Sequence, residues 1–198
     1  MSENDLQTTI GALVDDLRPS PGFRPALGLA LTAGAALVTI ALVAATVGIR
    51  SDALAGRFEP LLLIANGLFL LLGAAAGSAA VAMASPQVGR HDDGWRWGAA
   101  TVALLPLTVL VLVVTGNEPA PGPWMDAIDG GCLLGGVASG AGVALALTAW
   151  LRRGAPASPQ RAGLLVGIAA GSFGILATAL HCPSTSLYHV GVWHAAAT

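Results

Sequence analysis

Residues 25–48 read PALGLALTAGAALVTIALVAATVG. None of these 24 residues is charged, and the apolar side chains follow one another without the alternation of a half-buried strand. At ~1.5 Å of rise per residue a helix of this length crosses the ~30 Å hydrocarbon core of a bilayer. Four further runs repeat the pattern, at residues 60–84, 97–115, 130–151 and 162–181. In lipid a backbone must satisfy its own hydrogen bonds, which a continuous helix does and an open strand does not. The expected fold class is therefore all-α: a polytopic transmembrane helical bundle of five full spans.

Composition agrees. Hydrophobic residues make up 55% of the 198, charged residues 10%, and lysine is absent. Soluble domains carry about 25% charged residues, so the chain lacks the polar surface that water demands. A formal net charge of −2 excludes a basic face for direct nucleic-acid contact. Residues 1–24 form a cytoplasmic N-terminal amphipathic segment and residues 25–198 the bundle. The polar, acidic opening with Glu3, Asp5, Asp15 and Asp16 is unlike a cleavable signal, so the first span serves as an uncleaved anchor. A sixth segment starts near Leu187 and is too short to span. Either the chain is shortened there or this last element lies along the interface.

Arginines orient the bundle. With the N-terminus in the cytoplasm, that side holds Arg18, Arg24, Arg90, Arg96, Arg152, Arg153 and Arg161, and the other side only Arg50 and Arg57. Seven against two follows the positive-inside rule.

On that topology Cys132 opens the fourth span and Cys182 closes the fifth, both on the outer side. Counted from the shared inner loop, both sulfurs lie at ~29–30 Å of helical rise. The ten-residue connection between the spans makes them antiparallel neighbours. A disulfide follows if helix rotation brings the Cα atoms within ~7 Å. The alternative is a pair of buried thiols acting as small apolar residues. A second alternative is a metal site in which His181 and His189 join Cys132 and Cys182, since sulfur and imidazole suit zinc-like ions. Against it, adjacent residues such as His181 and Cys182 project differently from a helix, and interfacial histidines beside Tyr188 and Trp193 are an ordinary occurrence.

Other classes are poorly supported. No Asp, Glu, Lys or Arg falls within the five runs, whereas intramembrane charges mark ion and proton pathways. A small transporter or channel is thus the weaker alternative. Asn66 fits a helix–helix hydrogen bond, and Pro106 is ordinary in a membrane helix. No nucleophile–base constellation beyond the terminal Cys/His patch suggests an enzyme, and no cofactor is required. Glycines four apart (Gly163, Gly167 and Gly171; Gly131/Gly135; Gly136/Gly140; Gly73/Gly77) form ridges that let helices approach closely, within one bundle or in a homo-oligomer.

Before the first span, Leu6, Ile10, Leu13, Val14 and Leu17 recur at helical steps, and Pro19 and Pro21 end the segment. Its acidic polar face is a poor ligand for anionic lipid. It suits either a groove on a soluble partner or packing on the bundle.

Residues 151–183, LRRGAPASPQRAGLLVGIAAGSFGILATALHCP, resemble the NrsF-type membrane anti-sigma factors of bacteria. The shared features are the RRGAP loop, the glycine-rich span, LHCP followed by a polar stretch and WH, and LVDDLRP near the start. The resemblance implies an inner-membrane, multi-pass protein that holds an extracytoplasmic-function (ECF) sigma factor at the cytoplasmic face. It also implies that Cys132 and Cys182 respond to oxidative or heavy-metal stress. Leu13, Asp15, Asp16, Leu17 and Arg18 become candidates for the sigma-factor surface. The loop with Arg152 and Arg153 would transmit the signal. The family ordinarily has six spans, where this chain has five and a short sixth segment.

Overall fold

A computed structural model describes residues 3–16, 24–57, 59–85, 93–116 and 126–198. The described residues form α1 (Glu3–Asp15), α2 (Pro25–Thr46), the single turn α3 (Ser51–Leu54), α4 (Pro60–Met83), α5 (Gly94–Val114), α6 (Asp126–Leu151) and α7 (Pro159–Thr178). A π-helical turn, His189–His194, follows. Five helices are long and apolar enough to cross a membrane: α2, α4, α5, the Gly130–Leu151 part of α6, and α7.

Local chemistry sets these helices. Pro25, Pro60 and Pro159 stand in the first turns of α2, α4 and α7, where a missing amide donor costs nothing. Hydroxyls inside the apolar runs are satisfied by their own helix: Thr32 donates to the Gly28 carbonyl at 2.9 Å and Thr178 to Gly174 at 3.0 Å. Helix α5 continues through Pro106. Gly48, at φ 92°, lets the chain turn away after α2 in a left-handed conformation that side chains disfavour.

Successive spans alternate in direction. At one end, the Arg50 amide donates to the Leu180 carbonyl at 2.9 Å, joining the α2–α3 turn to the chain beyond α7. At the opposite end, the Ala155 amide donates to the Ala84 carbonyl at 3.2 Å, tying the α6–α7 loop to the end of α4. We call these the cysteine end and the arginine end.

Helix α7 is the centre. Two thirds (67%) of its most apolar window is buried, against 17–39% in the other four spans. Small residues make this possible: Ala169, Ala170, Gly171, Ser172 and Gly174 are buried and admit neighbours on several sides. Outward faces are apolar instead of polar, with Leu37 and Leu42 on α2, Leu71 on α4, Leu110 on α5 and Leu145 on α6 exposed. That inversion suits a chain whose solvent is lipid.

The core has two lobes. At the arginine end Val81, Val143, Leu147, Trp150, Leu165 and Phe173 pack together. At the cysteine end Leu62, Phe69, Leu72, Leu105, Ile175 and Val190 do so.

The glycine ridges are only partly packing surfaces. A Cβ on Gly140 would meet the Ala170 carbonyl, and one on Gly136 would lie 2.9 Å from Ile175 Cδ1, so α6 and α7 are in close backbone contact. Gly73 and Gly77 pack on α7 as well, and Gly77 also on Thr32 of α2. A Cβ on Gly131, Gly163 or Gly167 would meet nothing within 4 Å among the described residues, so the expected ridge on α7 uses only Gly171. Spacing identifies a face, but neighbours are found only once the rotation is known.

The short sixth segment enters the bundle. His189, Val190, Gly191 and His194 are buried. A Cβ on Gly191 would lie 2.6 Å from Val109 Cγ2 of α5, and one on Gly171 would meet the carbonyl of Ala197. The segment is wedged among α4, α5, α6 and α7 instead of lying apart on the surface, because small residues on both sides leave room for it.

Candidate functional site

Cys132 sits in the second turn of α6, facing the far end of α7. Beyond Thr178 the chain makes one more turn, with the Cys182 amide donating to the Thr178 carbonyl at 3.1 Å. Pro183 cannot continue it, so the chain leaves the helix at Cys182. Residues 183–186 form a non-helical strap, and the helix restarts at Leu187. Ser186 receives the His189 amide at 3.2 Å, which anchors the restart.

The π turn decides the rest. In an α-helix at 3.6 residues per turn, residues five apart stand about 140° apart around the axis. Closing the backbone i→i+5 widens the turn and brings such residues onto one side. His189 and His194 are five apart, and their rings meet edge to face with centroids 4.8 Å apart.

Four polar atoms converge there. Cys132 Sγ lies 3.2 Å from Cys182 Sγ, Cys182 Sγ lies 3.1 Å from His189 Nε2, and His189 Nε2 lies 3.1 Å from His194 Nε2. One ligand atom from each residue falls within 4.8 Å of every other. Cys182, His189 and His194 are fully buried, and Cys132 is 6% exposed. The sulfurs are unbonded. Cys182 lies beyond the end of α7; hydrogen bonding to Cys132 foremost, then to His189 and His194, holds its thiol well below the ordinary value against the opposing effect of burial. The thiolate, not the thiol, is the nucleophilic and metal-binding form.

Cys132, Cys182 and His189 are thus brought together as sequence reading allowed. His181 is not part of the group: its Nδ1 is buried without a hydrogen-bond partner, outside the four convergent atoms. His194 takes the place considered for it. The sequence signal for His194 was its spacing of five from His189, which points to one side only when the π turn is known.

Arg50 also escaped sequence reading. It grips Asp52 through Nε and Nη2, at 2.6 Å each, and donates from Nη1 to the Cys182 carbonyl at 3.1 Å. The Arg50 guanidinium holds the Asp52 carboxyl below its usual range, with burial opposing. The loop after α2 is thereby pinned to the cysteine turn. Arg50, Asp52, Arg57, Glu59 and Thr185 line a shallow polar pocket beside it.

Arg152 and Arg153 are exposed at the opposite end of α6. Their loop is held down by Gly154, where a Cβ would run into the Ala84 carbonyl. Leu13, Asp15 and Asp16 are exposed on and just after α1, whose described residues include none that is buried. Leu17 and Arg18, with Pro19, Pro21 and Arg90, lie outside the described residues. Asn66 Oδ1 is buried without a hydrogen-bond partner, so the expected inter-helix bond through that atom is not formed.

A family model described as "Negative regulator of sigma F" (NrsF) matches residues 13–198, nearly the whole chain. No curated protein and no solved structure matches.

Proposed function

The chain belongs to the NrsF family of negative regulators of sigma F, and on that premise we propose that it is a membrane-bound anti-sigma factor whose two cysteines sense oxidative or heavy-metal stress. In this reading it lies in the bacterial inner membrane with α1 and the arginine end in the cytoplasm, following the arginine distribution. Its partner there is an ECF sigma factor.

Leu6, Ile10, Leu13 and Val14 are all exposed along α1 and form the apolar stripe for docking. Leu13, Asp15 and Asp16, with Leu17 and Arg18 beyond them, make up the sigma-binding surface.

The observation that carries the sensing part is the 3.2 Å separation of Cys132 Sγ and Cys182 Sγ. Two sulfurs this close, one on α6 and one in the turn after α7, need little motion to react together. Oxidation joins them as a disulfide, with two protons and two electrons passing to an oxidant such as a peroxide. Metal capture joins them through the ion. Either event shifts α6 relative to the turn after α7. Because α6 and α7 meet backbone to backbone, the shift reaches the loop with Arg152 and Arg153. A tenfold loss of sigma affinity requires only ~1.4 kcal/mol of coupling between two bundle states.

The experiment is co-purification of the sigma factor with the full-length membrane protein, alongside target transcription under peroxide or cadmium. Wild type should retain the sigma factor at rest and release it under stress. Cys132→Ser/Cys182→Ser should retain it throughout. An unchanged stress response in that double variant removes the thiols from the mechanism, and failure of the wild type to retain the sigma factor removes the anti-sigma reading.

A further inference from the structure

A disulfide switch has work for one imidazole at most, as the base beside Cys182 that His189 already supplies at 3.1 Å. A dithiol pair needs two sulfurs, access for an oxidant and a base at most. Here a whole π turn positions two buried rings: His189 Nε2 lies 3.1 Å from Cys182 Sγ, and His194 Nε2 lies 3.1 Å from His189 Nε2. His194 Nδ1 is buried with no hydrogen-bond partner, so the polar contacts of that ring lie within the cluster. An apolar bundle that buries two thiols and two imidazoles together has built a donor set.

We propose that Cys132, Cys182, His189 and His194 form a tetrahedral site for a borderline-soft divalent cation of the zinc and cadmium class, and that this ion is the species sensed at the cysteine end. The second part rests on the anti-sigma reading above; the first does not.

Donor chemistry comes first. Two sulfurs and two imidazole nitrogens are a set that closes a four-coordinate zinc site. Hard cations that need oxygen ligands find none among the four.

Size comes next. Zn–S of ~2.3 Å and Zn–N of ~2.0–2.1 Å give tetrahedral edges of roughly 3.8 Å between sulfurs, 3.6 Å between sulfur and nitrogen, and 3.3 Å between nitrogens. The three contacts of 3.1–3.2 Å fall inside these edges, and no pair exceeds 4.8 Å. Small movements of each ligand atom convert the cluster into the coordination shell.

Charge completes the case. Binding follows 2 Cys–SH + M²⁺ → M(S–Cys)₂ + 2 H⁺, with both histidines neutral and coordinating through Nε2. The product, two thiolates around a dication, carries no net charge. A neutral complex suits a buried site where an isolated ion would be strongly disfavoured. The geometry also separates the two kinds of signal. A disulfide draws the sulfurs from 3.2 Å to ~2.04 Å, whereas an ion spreads them to roughly 3.8 Å.

The test uses full-length protein in detergent, reduced and stripped of metal, titrated with Co²⁺ and then competed with Zn²⁺ or Cd²⁺. One Co²⁺ per chain is expected, with a thiolate charge-transfer band and the intense visible bands of four-coordinate cobalt. X-ray absorption of the zinc form should count two sulfurs and two nitrogens, a readout that needs no variant. His189→Gln and His194→Gln should each weaken binding by at least about 100-fold, above the ~10–100-fold typical of losing an outer-shell partner. His181→Gln should bind as wild type does. Elution profile and thermal midpoint without metal establish that each variant is folded.

A shell without both sulfurs and both nitrogens, or His194→Gln binding as tightly as wild type, overturns the site. Sigma release by peroxide with no ion bound overturns the ion as the species sensed, and leaves the anti-sigma reading standing. An intact four-ligand site in a protein that does not hold the sigma factor does the reverse.

Discussion

Gly174 of α7 lies so close to Gly140 of α6 that a single added methyl group would stand 2.6 Å from the Gly140 amide nitrogen and 2.9 Å from its Cα. This approach fixes the spacing of the two helices whose ends carry the cysteines.

Gly174→Ala should therefore push α6 away from α7. Overpacking of this kind costs about 1–3 kcal/mol. The thermal midpoint in detergent should fall, and the yield of the Cys132–Cys182 disulfide under a mild oxidant should fall with it. A variant as stable as wild type with undiminished cross-linking would show that the backbones are not in contact.

The opposite is expected at Gly167, where an added Cβ would meet nothing within 4 Å among the described residues. Gly167→Ala adds a helix-favouring residue in open space and should leave stability unchanged or raise it by about 0.5–1 kcal/mol. Destabilisation, together with a change in oligomeric mass, would instead place that face against a second copy of the chain.

Trp150 closes the arginine end. Its indole N–H donates to the Val81 carbonyl at 3.3 Å, and a Cβ on Gly28 would lie 2.5 Å from its ring. It thereby joins α2, α4 and α6. Trp150→Ala should cost about 3–5 kcal/mol. Trp150→Phe keeps most of the packing and should lose only the hydrogen bond, about 1 kcal/mol. Equal losses in the two variants, read from thermal unfolding, would contradict the packing role.

Acid should loosen the cysteine end. The folded Asp52 pKa is depressed below its ordinary 3.8, chiefly by the hydrogen bond from Arg50. A depressed carboxylate stabilises the fold fully above its unfolded pKa, and the contribution is lost as pH falls through the lower folded value. Thermal midpoints between about pH 5 and pH 2 should show this loss, and Asp52→Asn should reduce its share of the slope. An identical slope in the variant would exclude the Arg50–Asp52 pair as a contributor.

Much of this was legible in the sequence, for a physical reason. Lipid imposes length and continuity on each span, so residues 25–48 and 60–84 announce themselves within two residues of α2 and α4. Counting rise along two antiparallel helices also levels Cys132 with Cys182, because distance along a helix axis is additive. Rotation about the axis is not fixed by counting. Gly163 and Gly167 were legible as a ridge but not as an unoccupied one, and Gly174, the tightest glycine contact between α6 and α7, shares no four-residue spacing with them. His181 and His194 exchanged places for the same reason: which histidine faces the sulfurs depends on where the helix ends and how wide the next turn is.

That wide turn has one more implication. Rewinding residues 189–194 to the commoner pitch would leave His194 about 140° around the axis from His189 while every covalent bond stays intact. The same motion would drag Ala197 away from Gly171 at the middle of α7. A change in winding alone thus offers the protein a way to withdraw one ring from the quartet and unlatch the centre of the bundle in a single stroke.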